Sequence, residues 1–395
     1  MLVVGAGPAG STLAWRLARK GYRVRLVDRA VFPRFKPCGE FVSPECLPLL
    51  DEVGVLEPML AAGAHRVGGM RLLGWGFEVE GRYGKVDPTA GPSWGLALRR
   101  EIFDKILLDR AVAQEGVEVI EGLRIGHLLR DVQGRIAGAA GIDRRGREVE
   151  FRARFTVGAD GMRSRVARDL GLVRPSSWLR RHALVARYEG VTARDSGEVH
   201  LFEGGYFAAC GVDQGLFTLN LVVSSDSLEG GDLEGVLDTR VASHPTIGPR
   251  LAGARRVGPV RAVGPLAFTT RRQVVPGAAL VGDACGYVDP MTGEGISFAL
   301  RGAAWLAEVL GDALERTAVP GPRELASYPR QRRREIGFRL RQASGLQRAI
   351  RHPRLVRATL ALLAHRPAVM DLLVERTGGM APRRAVRGPG PWLRA

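Results

Sequence analysis

With 395 residues and 45% hydrophobic side chains, the chain is long enough for two packed regions or one large α/β unit. Its seven His are scattered and Cys38, Cys46, Cys210 and Cys285 lack paired metal spacing, which argues against a metal centre and suits the reduced thiols of the cytoplasm. The net charge of +17 is uneven, since residues 320–395 hold 17 Arg, no Lys and four acids; without any zinc-finger or RNA-binding motif this does not point to nucleic acid.

The start, MLVVGAGPAG, has no basic region followed by a long apolar stretch, as a signal peptide would. No window of about 18 residues is apolar enough for a transmembrane helix. LVV reads as a short buried strand, GAGPAG as a tight turn, and STLAWRLARKG as a helix with Leu13, Leu17, Ala14 and Ala18 on one face. YRVRLVD then reads as a second strand ending on Asp28. The G-x-G-x-x-G pattern at Gly5, Gly7 and Gly10, with Pro8 and Ala9 at the helix start, suits a pyrophosphate facing a helix N-terminus. Asp28, followed by Arg29, lies 18 residues past Gly10, where an acid meets a ribose hydroxyl. The unit therefore predicts dinucleotide binding.

Prolines and a glycine break FPRFKPCGEFVSPECL, and a helix is expected from about Ser43. Residues 63–95 read as irregular strands, LRREIFDKILLDRAV as a helix, and VEVIEG and the segment to FRARFTVGADG as strands with a DRRG turn. RFTVGA ends on Asp160-Gly161, ahead of a helix start at Ser164. From about Trp178 to Arg256 the chain is strand-rich, with a helix in SLEGGDLEGVLDTRVA. The strand GAALV leads to Gly282-Asp283, and beyond Glu294 the chain is helical, with 380–395 expected as a loose tail.

Three acid-bearing strand ends recur: GAGPAG with Asp28, GADG with Asp160, and GDA with Asp283. A nicotinamide dehydrogenase has no use for the last. An extended flavin dinucleotide does: Asp283 would accept from a ribitol hydroxyl, Gly282 lets the backbone approach, and a helix start near Gly293–Gly295 would face the pyrimidine side of the ring. The expected cofactor is noncovalent FAD.

GAGPAG…D, GADG and GDA…DPMTGEGI together resemble the para-hydroxybenzoate hydroxylase type of FAD-dependent oxidoreductase, and more closely its geranylgeranyl reductase family. The family motif P-x-x-K-x-C-G-G is matched by Pro33, Lys36, Cys38 and Gly39, with Glu40 in place of the last Gly. The P-x-T-G-E-G-I segment is matched by Pro290, Thr292, Gly293, Glu294, Gly295 and Ile296. RREIFD resembles the family's R-x-x-F-D, which implies Arg100 near the flavin phosphates, with Arg99 as a substitute; otherwise Arg100 is an exposed helix-start arginine. By the resemblance, the Asp160-Gly161 turn implies support for flavin and for NAD(P)H as a transient electron donor, or else a plain helix cap. The aromatic signature Y-x-W-x-F-P falls on GYFAACG, without its Trp or Pro. No W-x-W-x-I-P segment of flavin halogenases is present.

The resemblance implies an α/β fold: a Rossmann-like FAD-binding domain (1–62, 96–178 and 257–318), an inserted β-sheet substrate domain (63–95 and 179–256) and a helical C-terminal region (319–395). The favoured activity is reduction of a carbon–carbon double bond, with Cys38 as proton donor, since an ordinary thiol has a pKa of about 8.5; otherwise Cys38 is a small packing residue. The alternatives are a monooxygenase acting on an aromatic, polyketide or isoprenoid substrate, and an electron-transfer flavoprotein with a protein partner. Tyr206, Phe207 and the apolar C-terminal helices suggest a bulky apolar substrate. The Arg-rich C-terminal region reads as a solvated face or as a peripheral contact with anionic lipid.

Overall fold

A computed structural model describes residues 1–87, 91–228 and 231–380. Its Rossmann-like half is a six-stranded sheet, in the order Val274–Val275, Ala278–Leu280, Thr156–Gly158, Leu2–Val4, Val24–Asp28 and Val117–Glu121, parallel except at the first pair. The strand Leu2–Val4 is buried throughout, which a strand covered on both faces requires. Leu13, Ala14 and Leu17 of the helix Pro8–Arg19 are fully buried against it. Each Leu contributes roughly 1.5–3 kcal/mol of transfer free energy. The helix Gly295–Arg316 packs on the same side, with Ala299, Ala303 and Ala307 in the shared core.

Register decides where the motifs fall. Val4 pairs with both Val27 and Gly158, and Gly158 pairs with Leu280. Because these strands are parallel, all of their C-terminal ends lie along one edge. The Gly5 turn, Asp28, Asp160 and Asp283 are therefore brought together although they span 279 positions in the sequence, and crevices at such edges are where α/β sheets bind ligands.

The second half is a seven-stranded sheet. Its order is Arg255–Val263, Arg181–Glu189, Phe217–Ser224, Gly205–Gly211, Gly197–Phe202, Gly69–Gly74 and Phe77–Arg82. One face is covered by the helices Leu233–Ser243 and Ile247–Leu251. The other face meets the Rossmann-like half and the last two helices.

Period-two alternation in Gly205–Gly211 separates two residues that adjacency had suggested were partners. Tyr206 joins the core that includes Tyr287 and Met291, whereas Phe207 packs on the other face against Phe202 and His244, with ring centroids 5.4 Å away in each case. Phe207 therefore does not line a substrate chamber with Tyr206. The C-terminal helices are Ser327–Ala349, Pro353–Ala364 and Pro367–Thr377. Met380, expected in a loose tail, is 2% exposed and packs on the last helices; residues 381–395 lie outside the described residues.

Candidate active site

The glycine loop is held by packing on two sides and open on the third. A side chain at Gly10 would meet the Gly5 carbonyl at 1.8 Å, and one at Gly5, whose φ is +104°, would meet the Ala159 carbonyl at 2.5 Å. At Gly7 the nearest atom would be an Arg34 guanidinium nitrogen at 3.6 Å. Gly7 thus faces the crevice. Behind it the helix Pro8–Arg19 begins with Pro at its first turn and no side-chain cap, so its amides point into the crevice. Asp28 clamps the loop, its two oxygens accepting from the Ala6 and Ala30 amides at 2.7 and 2.8 Å. Second lone pairs remain for a ribose. Arg29 is exposed beside it.

Opposite the loop stands a cationic wall from PRFKPCGE. Arg34 pairs with Asp104 at 2.9 Å and leaves one buried nitrogen without a partner. Lys36 makes no hydrogen bond or ion pair among the described residues. Burial, followed by the Arg100 charge, lowers its pKa, while Asp283 and Asp104 oppose the shift. Arg100 is 2% exposed and forked onto Asp104, with both bonds at 2.7 Å. It is therefore no exposed helix-start arginine. Burial works against its charge, but Asp104 holds it charged. Arg99 is committed elsewhere, to Asp213 and Gln214. Sequence reasoning missed Arg34 and Asp104; the i,i+4 spacing of Arg100 and Asp104 was the available signal.

The Asp160–Gly161 turn closes one side, with the Lys36 ammonium 4.0 Å from where a Gly161 side chain would stand. Asp160 Oδ2 accepts from the Arg165 amide at 2.6 Å and so serves as a helix cap. Its buried Oδ1 has no partner, and burial raises its pKa. On the far side, Gly282, at φ +64°, lets its turn settle on Ala9, which a side chain would approach to 2.9 Å. Asp283 is half-buried and unpartnered among the described residues, near the start of the helix Gly295–Arg316.

In the last motif Pro290 opens a 3-10 turn and Gly293 has φ +66°, which brings it against Phe41. Glu294 does not face the crevice; it pairs with Arg339 of the C-terminal region. The Ile296 side chain is buried in a core with Trp15, Leu98 and Phe103, so only its backbone at the helix start is placed toward the site.

Cys38 is half-buried, and its thiol lies close enough to Arg100 for the two to interact electrostatically. Glu40, which stands where the family motif has Gly, adopts the left-handed conformation at φ +60°. Its buried carboxylate pairs with Arg187, and Arg187 also pairs with Glu101 at 2.7 Å. This ties the Cys38 loop to the second sheet. Burial raises the Glu40 pKa against the opposing Arg187 charge.

Beyond Cys38 lies an apolar cluster containing Met70, Leu72, Tyr206, Ala208, Tyr287 and Met291. Its polar atoms include the Tyr206–Asp289 pair, which sequence reasoning missed. Burial pushes both tyrosine hydroxyls far up and raises Asp289 to about 6. Ala208 and Cys210 occupy the places of the aromatic signature's Trp and Phe, and so leave a smaller wall on this side.

The open face of Gly7, the uncapped helix start, the unpartnered nitrogen of Arg34 and the free carboxylates fit an anionic dinucleotide with a polyol arm. Residues 1–186 match the FAD-binding domain family. The fold and this match define an FAD-dependent oxidoreductase of the para-hydroxybenzoate hydroxylase type. The chain is 33% identical over 332 residues to digeranylgeranylglycerophospholipid reductase 2 of Methanopyrus kandleri, covering 80% of this chain and 77% of that protein. It is 31% identical over 344 residues to menaquinone reductase of Mycobacterium tuberculosis, covering 78% and 76%. The chain belongs to the geranylgeranyl reductase family. Its fold also matches the myxobacterial chondrochloren halogenase CndH, with a TM-score of 0.81 at 24% identity over 97% of both chains.

Proposed function

We propose that this enzyme reduces a carbon–carbon double bond in a bulky apolar substrate of isoprenoid type, with NAD(P)H as electron donor. The observation that carries the reading is the apolar cluster that takes in Phe41, Tyr287 and Met291, with Cys38 within electrostatic range of Tyr287. Relatives named as reductases of isoprenoid-bearing lipids and quinones support it. Reduced FAD would supply the hydride. The chain's own part is to exclude water with Tyr206, Tyr287 and Met291, and to hold a proton on the Cys38 sulfur beside Arg100. The small Ala208 and Cys210 favour a wider substrate than an aromatic wall admits.

The test is anaerobic turnover of the purified yellow protein with NADH or NADPH across a panel of polyprenyl lipids, quinones and aromatics. Loss of one double bond from product, detected by mass, supports the proposal. Substrate-dependent oxygen uptake with an added oxygen atom in product assigns a monooxygenase instead.

A further inference from the structure

The helices Pro353–Ala364 and Pro367–Thr377 are apolar on two sides. Their inner side is ordinary core: Val356, Leu360, Leu363, Met370 and Val374 pack with Val79, Tyr83 and Leu201 of the second sheet. Their outer side is not. Leu355, Leu362, Val369 and Leu373 are 51%, 60%, 42% and 44% exposed. The i,i+7 spacing of the first pair and the i,i+4 spacing of the second place each pair on one helix face. Single exposed leucines are common on soluble proteins, but an ordered apolar face marks an interface.

Charge on these helices is sorted in the same direction. The acids turn inward, with Asp371 accepting from the Arg82 amide at 2.8 Å and Glu375 from the Val86 amide at 2.7 Å. Arg354, Arg357, Arg366 and Arg376 are exposed and have no acidic partner among the described residues. The outward surface therefore offers apolar side chains and uncompensated guanidinium groups together. Hydrocarbon beneath a layer of phosphate complements both. No described helix is long and apolar enough to cross a membrane, so such a contact lies on the surface.

We propose that these two helices dock on a bilayer containing anionic lipid, with Leu355, Leu362, Val369 and Leu373 below the phosphates and Arg354, Arg357 and Arg366 among them. The apolar cluster on their inner side continues to Tyr287 and Met291, so docking would set the candidate active site close to the lipid surface. The docking stands independently of the proposed reaction.

The test is cosedimentation of the full chain with vesicles of phosphatidylcholine alone, or mixed with phosphatidylglycerol. Binding to the mixed vesicles is expected at low salt, falling at least about tenfold at roughly 0.5 M salt as screening shortens the range of attraction. Two variants separate the components: Leu362→Glu with Leu373→Glu, and Arg354→Glu with Arg357→Glu and Arg366→Glu. Both alter exposed side chains, so flavin content and circular dichroism should stay at wild-type values while binding is lost. Failure of the wild type to bind mixed vesicles at low salt overturns the proposal. So does equal binding to neutral vesicles, or full binding by both variants. Retention on an acidic protein such as a polyglutamate-tagged carrier, without retention on mixed vesicles, assigns the face to a protein partner and likewise overturns it.

Discussion

The Tyr206 hydroxyl donates a 2.5 Å hydrogen bond to Oδ1 of Asp289, joining the second sheet to the turn Pro290–Thr292. The same oxygen accepts from the Met291 amide at 3.0 Å, while buried Oδ2 has no partner. Burial raises the Asp289 pKa to about 6, and the Tyr206 hydrogen bond opposes the shift.

The sign of the resulting stability effect follows from the proton count. Folded Asp289 holds its proton up to about pH 6, whereas an unfolded Asp releases it near 3.9. The folded state therefore binds more protons between these values, and stability falls as pH rises from about 4 to 6. The loss is on the order of 3 kcal/mol, from a two-unit shift at about 1.4 kcal/mol each. Asp289→Asn keeps an oxygen for Tyr206 and should flatten this segment of the profile. Thermal midpoints of both proteins at pH 4.5 and 7 check it; identical pH dependence in the two proteins rejects the assignment.

Asp283→Ala should weaken FAD retention. It removes an unpartnered carboxylate from the crevice, and a charged hydrogen bond to a ribitol hydroxyl contributes roughly 1.5–3 kcal/mol, about 10- to 150-fold in affinity. Flavin titration of the apoprotein measures this directly. Unchanged affinity would mean that the ribitol lies elsewhere.

Two glycines of one motif should fail differently. Gly7→Val places a branched side chain in the crevice and should abolish FAD binding while the fold persists. Gly10→Ala meets the Gly5 carbonyl at 1.8 Å and should destabilise the fold itself. Circular dichroism and flavin fluorescence distinguish the two outcomes. Normal flavin binding by a folded Gly7→Val protein contradicts the open face assigned to Gly7.

Cys38→Ser changes volume little but raises the proton's pKa far above that of a thiol. Double-bond reduction should slow by at least about tenfold, while NAD(P)H reduces the bound flavin at a near-normal rate. Stopped-flow absorbance follows the flavin step and product mass the other. If both steps keep wild-type rates, Cys38 only fills space.

Much of the candidate cofactor site was legible because flavin binding constrains short, contiguous segments. GAGPAG, PRFKPCGE and GDA…TGEGI each combine a turn glycine with a polar group at fixed spacing, and such local chemistry is written in sequence. The glycine at φ +104°, the Pro-started helix and the acid ending the second strand all follow from it. The sequence could not disclose that Ile296 turns into the core, that Asp160 spends one oxygen on a helix start, or that Phe207 faces away from Tyr206. Those outcomes depend on which face of an element meets which neighbour, and register and packing over long sequence distances decide it.

The sequence by itself determined the dinucleotide-binding unit, the family and the cluster of basic charge, since each rests on residue types at close spacing. Tertiary structure alone decided how the charge was distributed. Arg339 sinks onto Glu45 and Glu294, while Arg354, Arg357 and Arg366 remain outside without acids. It also decided that strands from residues 69–82 complete a sheet begun at residue 181, and that Asp289 meets Tyr206 across 83 positions. Partners so distant carry no mutual spacing, and only the closing of the parallel sheet edge against the second sheet brings them into contact.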